Sequence, residues 1–147
     1  MSKPHQVPVD PPPISIPPPP AVKIAGLILA AETFGILILA VVIVFSRHEA
    51  DVKWVVATAS YFLLIAAFIG ASANGLLRGR RWARSPGLTI QILILAVGFY
   101  LAFPSGQLMQ GIGLMVLGLV TGAMLIGRQA TEWITSFPPL FGPEPDR

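Results

Sequence analysis

The chain of 147 residues contains no cysteine and few charged residues. Without cysteine it can form no disulfide, ligate no iron–sulfur cluster and offer no thiol nucleophile. Charged residues make up 12 % of the chain, against about 25 % in typical globular proteins. Each helix of a soluble fold needs a polar face towards water, so this composition argues against a soluble domain.

Apolar residues are abundant instead, at 54 % of the chain, and they gather into four long blocks. A helix rises about 1.5 Å per residue, so about 20 apolar residues cross a hydrocarbon core of about 30 Å. The blocks predict spans at residues 21–45, 52–77, 86–103 and 107–126. We therefore predict an all-α membrane protein, with four transmembrane helices in an up-down bundle within residues 21–126.

Both ends of the chain are predicted to lie outside the bundle. Residues 1–20 contain nine prolines, which disfavour helix and sheet, so we expect a disordered, partly polyproline II tail. Its Pro8-x-x-Pro11 spacing suits either a solvated tether or a docking peptide for proline-reading domains. Residues 127–147 are expected to be interfacial at first, around Trp133, and disordered afterwards.

The loop at residues 78–87 carries four of the ten basic residues and predicts the orientation. Basic loops stay on the cytoplasmic side, so both termini are expected there as well, with eight basic residues inside and Arg47 and Lys53 outside. The net charge of +3 comes largely from this loop, which favours anionic lipid headgroups and disfavours nucleic acid as partners. The expected headgroup contacts are Arg78, Arg80, Arg81 and Arg84.

Local signals predict how the helices begin and pack. Ser85-Pro86 is typical of an N-cap followed by proline at the first helical position, so the third span is predicted to begin at Pro86. Small residues at spacings of three and four let helix backbones approach closely. Gly70 and the Gly118-x-x-x-Gly122 pair are therefore predicted to face other helices.

Glu32 lies near the middle of the first span, where an acidic side chain costs at least about 2.5 to 3.5 kcal/mol. One hypothesis is a proton or cation site inside the bundle, and the other is a neutral glutamic acid hydrogen-bonded to a neighbouring helix. Depth along the helices places Ser60 and Tyr61 slightly nearer the outside and Gln91 nearer the inside. These four residues form the candidate intramembrane site, with Tyr61 as the expected partner of Glu32.

No arrangement of side chains in the sequence predicts catalysis. His5 and His48 fall in different segments, so no metal site is expected, and neither a Gly-x-Ser-x-Gly motif nor a phosphate-binding glycine loop occurs. The expectation is a non-enzymatic protein without catalytic residues, metal or cofactor.

The run Leu-Leu-Arg-Gly-Arg-Arg-Trp-Ala-Arg-Ser-Pro at residues 76–86, followed by an apolar helix with Gln91 near its start, resembles a known group. The group consists of uncharacterised four-span integral membrane proteins from actinobacteria. The resemblance covers roughly the last three spans. It implies a four-span fold and a multi-pass location in the bacterial cell (inner or plasma) membrane, and it brings no assigned chemistry.

Two functions follow from these observations. The first is an accessory or assembly component that packs against itself or against a larger membrane complex. The alternative is a small proton-coupled transporter that uses Glu32, because residues 28–35 resemble the first helix of the small multidrug resistance exporters. The arginine-rich loop, the tails and the third span depart from that family's pattern.

Overall fold

The structure is a computed structural model that describes residues 15–45 and 51–137. Residues 1–14, 46–50 and 138–147 lie outside the described residues. They include the Pro8-x-x-Pro11 spacing, both histidines and parts of both predicted tails. The described part of the chain is helical and contains no strand. Its helices are α1 Pro20–Phe45, α2 Val52–Leu77, α3 Arg84–Ala102, α4 Leu108–Ile126 and α5 Arg128–Thr135, with a 3₁₀ turn at Arg81–Ala83 before α3.

Four of these helices, α1 to α4, are long and apolar enough to cross a membrane. Many of their large apolar side chains are exposed on the outside of the bundle, as in Phe34 and Leu64. A helix with apolar residues all round suits a lipid environment. By length and composition the chain is thus a multi-pass membrane protein, and its described spans are all helical.

The four spans form two hairpins, because α1 packs mainly against α2 and α3 mainly against α4. A hydrophobic core joins the hairpins near the loop between α2 and α3. It contains residues from every helix, among them Leu29, Leu76, Ile90, Leu125 and Trp133. We call this side of the bundle the arginine end. The opposite side, where α3 and α4 join through residues 103–107, is the distal end.

The start of α3 differs from the prediction. The helix begins at Arg84, two residues before Pro86, and Ala83 occupies the N-cap position without a side-chain hydrogen bond. Pro86 is tolerated because the backbone N–H groups of a first helical turn have no partner within the helix. The predicted N-cap at Ser85 is therefore wrong. The carbonyl oxygen of Ser85 instead accepts a hydrogen bond from Thr89 Oγ1 at 3.1 Å.

The segment after the fourth span is a short amphipathic helix, α5, where the sequence analysis expected only an interfacial segment. Ala130 and Trp133 are buried in the core at the arginine end, as is Phe137 just beyond the helix. Ile134 packs partly against the same core. These apolar residues recur at the three- and four-residue spacing of a helix face, a signal that the sequence already contained.

The last residues before α1 are packed against the bundle, although they were predicted to belong to a disordered tail. The Ile16 N–H donates to the carbonyl oxygen of Gly79 at 3.2 Å, and Trp133 Nε1 donates to the carbonyl oxygen of Ile16 at 3.1 Å. Gly79 has a φ of +69°, and a Cβ there would collide with the carbonyl oxygen of Ile16. Glycine is thus needed at Gly79 both for its backbone conformation and for this close approach.

Candidate intramembrane site

Glu32 on α1 meets Gln91 on α3, so the candidate site joins the two hairpins. Gln91 Nε2 donates to Glu32 Oε1 at 3.3 Å and to Oε2 at 3.2 Å. Glu32 shares a helix face with Leu29 and Ile36, which lie three residues before and four residues after it and pack in or against the core. Gln91 is 1 % exposed, whereas Glu32 is only half-buried.

Tyr61 and Ser60, the other two predicted members of the site, are exposed. The Tyr61 ring packs edge-on against Phe62, with a centroid distance of 5.7 Å. The helix turns by about 100° per residue, so Tyr61 points about 140° away from the buried Ala66. Depth along the membrane cannot reveal this rotation. The hydrogen-bond partner of the carboxyl group is therefore Gln91, and the expectation that it would be Tyr61 is corrected.

The buried hydroxyl groups of the spans are satisfied within their own helices. Thr121 Oγ1 donates to the carbonyl oxygen of Leu117 at 2.9 Å, and Ser72 Oγ donates to that of Phe68 at 2.9 Å. This bonding to the carbonyl four residues earlier leaves neither hydroxyl in need of another partner. By contrast, Gln91 Oε1 is buried and has no hydrogen-bond partner within the described part of the chain.

The small residues of the spans bring the helices together. A Cβ at Gly118 would lie 3.2 Å from the carbonyl oxygen of Gln91, so α4 approaches the site closely on the α3 side. A Cβ at Gly122 would lie 3.8 Å from Gln91 Cβ, and one at Gly70 would lie 3.2 Å from Thr33 Cγ2 on α1. The structure thus places all three predicted packing glycines on faces that touch a neighbouring helix.

The tightest approach of the second hairpin is at Gly98 and Gly111, which the sequence analysis did not single out as packing residues. A Cβ at Gly111 would collide with the backbone N of Ala102 and lie 2.5 Å from the carbonyl oxygen of Gly98. Gly111, Gly118, Gly122 and the buried Leu125 are spaced by seven, four and three residues. That helical spacing on one face of α4 is the signal that could have identified Gly111.

The four arginines of the loop have different surroundings. Arg84 is half-buried, and its guanidinium group donates from Nε to the carbonyl oxygen of Leu125 at 2.8 Å and from Nη2 to Thr131 Oγ1 at 3.2 Å. It therefore caps the end of α4 and holds α5 in place. Arg78 and Arg80 are exposed and Arg81 is half-buried. Contact of these residues with lipid headgroups stays a prediction.

A groove of about 210 Å³ lies on the surface between α1 and α2 and is separate from the candidate site. It is open and mainly apolar, and neither Glu32 nor Gln91 lines it. The lining residues are Ala30, Thr33, Phe34, Gly70, Ala73, Asn74 and Leu77. Its depth and composition suit a lipid chain or a neighbouring helix better than a polar substrate.

Within residues 15–45 and 51–137, no three His, Cys, Asp or Glu side chains form a group that could hold a metal ion. Comparisons of the chain with protein-family models, with curated proteins and with solved structures find no match.

Proposed function

We propose that the chain is a non-enzymatic accessory or assembly component of a bacterial cell membrane that packs against a second copy of itself or a larger membrane complex. The observation that carries this proposal is the uncovered side of Glu32. Glu32 is only half-buried in a membrane span, and an acidic residue facing hydrocarbon is costly. A neighbouring protein helix that covers Glu32 would remove this cost.

The surface beside Glu32 suits such a helix. Ala31 and Gly35 are four residues apart on α1, and both are exposed. A Cβ added at Gly35 would meet nothing within 4 Å, so the α1 backbone is accessible there. Small residues at this spacing allow close contact between membrane helices. We call Ala31, Glu32 and Gly35 the α1 contact face.

The proposed orientation places both termini, and hence the arginine end, in the cytoplasm. The excess of basic residues at that end supports it. At the distal end, Lys53 Nζ pairs with Asp51 Oδ2 at 3.2 Å, which offsets the positive charge of Lys53. Exposed Arg78 and Arg80, with Trp82 51 % exposed beside them, suit contact with anionic headgroups at the cytoplasmic surface.

A small proton-coupled transporter is the second candidate function. The observation that favours it is the unpaired acceptor, Gln91 Oε1, buried next to an intramembrane carboxyl group. Ionisable groups inside membrane spans often lie on proton or ion pathways. Under this alternative, Glu32 would gain and lose a proton as the transported species moves.

The test of association is extraction of the tagged full chain in mild detergent, followed by native mass measurement. We expect a stable complex with a second copy or larger subunits. Gly35→Leu should reduce the associated fraction, because leucine separates helix backbones at the α1 contact face. Gly113→Leu is the matched control, since a Cβ at Gly113 also meets nothing within 4 Å but lies on α4. A monomeric parent, or equal effects of both variants, would contradict the proposal.

Transport is tested by proton-driven uptake or efflux in vesicles containing the parent, Glu32→Gln or Glu32→Leu. The assembly function predicts that Glu32→Gln associates as the parent does, because a carboxamide keeps a donor and an acceptor. The transporter function predicts loss of transport in both variants, since neither side chain can carry a proton. Loss of transport in Glu32→Gln with association intact would favour the transporter over the assembly function.

A further inference from the structure

Gln91 contains a buried acceptor that requires a donor. Its Nε2 donates to both carboxyl oxygens of Glu32, whereas its Oε1 has no hydrogen-bond partner among the described residues. Nε2 and Oε1 are bonded to the same carbon atom, so the unpaired oxygen belongs to the same amide group that contacts the Glu32 carboxyl group. Buried polar atoms are nearly always paired, and a donor for Oε1 is therefore expected in this position.

A protonated Glu32 would supply that donor. An ionised carboxylate only accepts hydrogen bonds, whereas a protonated one carries an O–H group. The last torsion of a glutamine side chain is broad, so rotation of the amide can bring Oε1 to one carboxyl oxygen and Nε2 to the other. We propose that Glu32 and Gln91 form a one-proton site, in which Glu32 O–H donates to Gln91 Oε1 and Gln91 Nε2 donates to the second oxygen of Glu32.

Within the part of the chain that the structure describes, no charged group other than Glu32 itself is found near the middle of the spans. The helix α4 contains no titratable residue. The helix α5 contains only Arg128 and Glu132, which pair with each other at the arginine end, with Arg128 Nε 2.6 Å from Glu132 Oε1. The described titratable residues of the other helices all lie nearer one end of the bundle or on its exposed surface. They are Lys23, Lys53, Tyr61, Arg84 and Tyr100, with Arg81 in the 3₁₀ turn and Asp51, Arg78 and Arg80 in the flanking loops.

The proton on Glu32 should affect the contact between the two hairpins, because the Glu32–Gln91 pair connects them. Glu32 belongs to the first hairpin and Gln91 to the second, so the cyclic pair joins the two hairpins through two hydrogen bonds. Loss of the proton would leave Gln91 Oε1 unpaired and place a charge in an apolar region. The contact between the hairpins should therefore weaken as the pH rises. This inference holds for either proposed function, because it concerns the proton and not the species bound or moved.

Infrared spectroscopy of the full chain in lipid bilayers at neutral pH tests the site. We expect a C=O band of a protonated carboxyl group in the parent and loss of that band in Glu32→Gln. This variant preserves the geometry, because two carboxamides can form the same cyclic pair. In Gln91→Met the band should shift to higher frequency, since the acid loses its hydrogen-bond partner. Gln110→Met, at an exposed position of α4, is the matched control and should leave the band unchanged.

Absence of the protonated band from the parent would overturn the proposal, because Glu32 would then be ionised. A band that stays at the same frequency in Gln91→Met would exclude Gln91 from the site. Gln91→Asn serves as a second variant if Gln91→Met does not insert, since its amide is one carbon shorter and should produce the same shift. The comparison of the parent with Glu32→Gln shows whether the proton is present, independently of the Gln91→Met and Gln91→Asn variants.

Discussion

The two ends of the bundle are held together in different ways. At the arginine end, Leu29, Leu76 and Leu125 are fully buried in one core shared by both hairpins. At the distal end, large apolar side chains remain uncovered, with Phe45 80 % and Met109 86 % exposed. The difference shows that the hydrophobic core shared by both hairpins lies at the arginine end.

Residue size accounts for this difference. Bulky leucines and Trp133 fill the space between hairpins at the arginine end. At the distal end, the backbones of two helices of one hairpin instead come close together, as at Gly98 and Gly111. Such contacts bring two helices close but leave no side chain to reach a third. The Glu32–Gln91 pair lies between the side-chain core of the arginine end and the glycine contacts of the distal end.

The largest expected effect comes from breaking the distal packing of the second hairpin. Gly111→Ala places a Cβ against the backbone of Ala102, so we expect a loss of about 1 to 3 kcal/mol of stability from overpacking. Gly113→Ala, with open space around its Cβ, should have little effect. Thermal unfolding of both variants in the same detergent makes the comparison. Equal stabilities would show that α3 and α4 do not approach at Gly111.

The next largest effect concerns the arginine end. Arg84→Met removes the hydrogen bonds to Leu125 and Thr131, and because Arg84 is half-buried we expect a loss of about 1 to 2 kcal/mol. Amide hydrogen exchange should then increase in α5 and leave the distal half of the bundle unchanged. Arg80→Met, at an exposed position, is the matched control. Unchanged exchange in α5 would contradict the capping role of Arg84.

A smaller effect is expected from Trp133→Phe, which keeps an aromatic ring but removes the donor to the carbonyl oxygen of Ile16. The loss should be about 0.5 to 1.5 kcal/mol, the usual net value of one hydrogen bond. Trp54→Phe is the control, because Trp54 is 68 % exposed. Protection of the Ile16 amide from exchange should fall in the first variant only.

The last change should leave stability unaltered and report only which side each end occupies. The chain has no cysteine, so Arg80→Cys and Ser105→Cys each introduce a single thiol, at exposed positions of opposite ends. Impermeant thiol reagents applied to intact cells should label the cysteine at position 105 and spare the one at position 80. The reverse pattern would invert the proposed orientation.

The sequence predicted the helical spans well because length and apolar content alone determine them. The prediction was wrong where the result depends on the rotation of a helix about its axis or on contacts between distant residues. The depth of Tyr61 in the membrane could not show that its side chain points away from the core. Ser85 is not the N-cap of α3, because the 3₁₀ turn at Arg81–Ala83 leads directly into the helix. The helix α5 was not predicted, although Ala130 and Trp133 have helical spacing, because residues 127–147 were expected to be interfacial at first and disordered afterwards.

The hydrogen bond between Trp133 and Ile16 has a consequence for biosynthesis. Its two residues are 117 positions apart, and Trp133 follows all four spans. A ribosome must therefore complete nearly the whole described chain before this bond can form. Until then, the segment before α1 lacks the indole donor that contacts it, so the arginine end completes its packing only after α5 has been made. Nascent chains released before α5 should be the forms most open to proteolysis at this end.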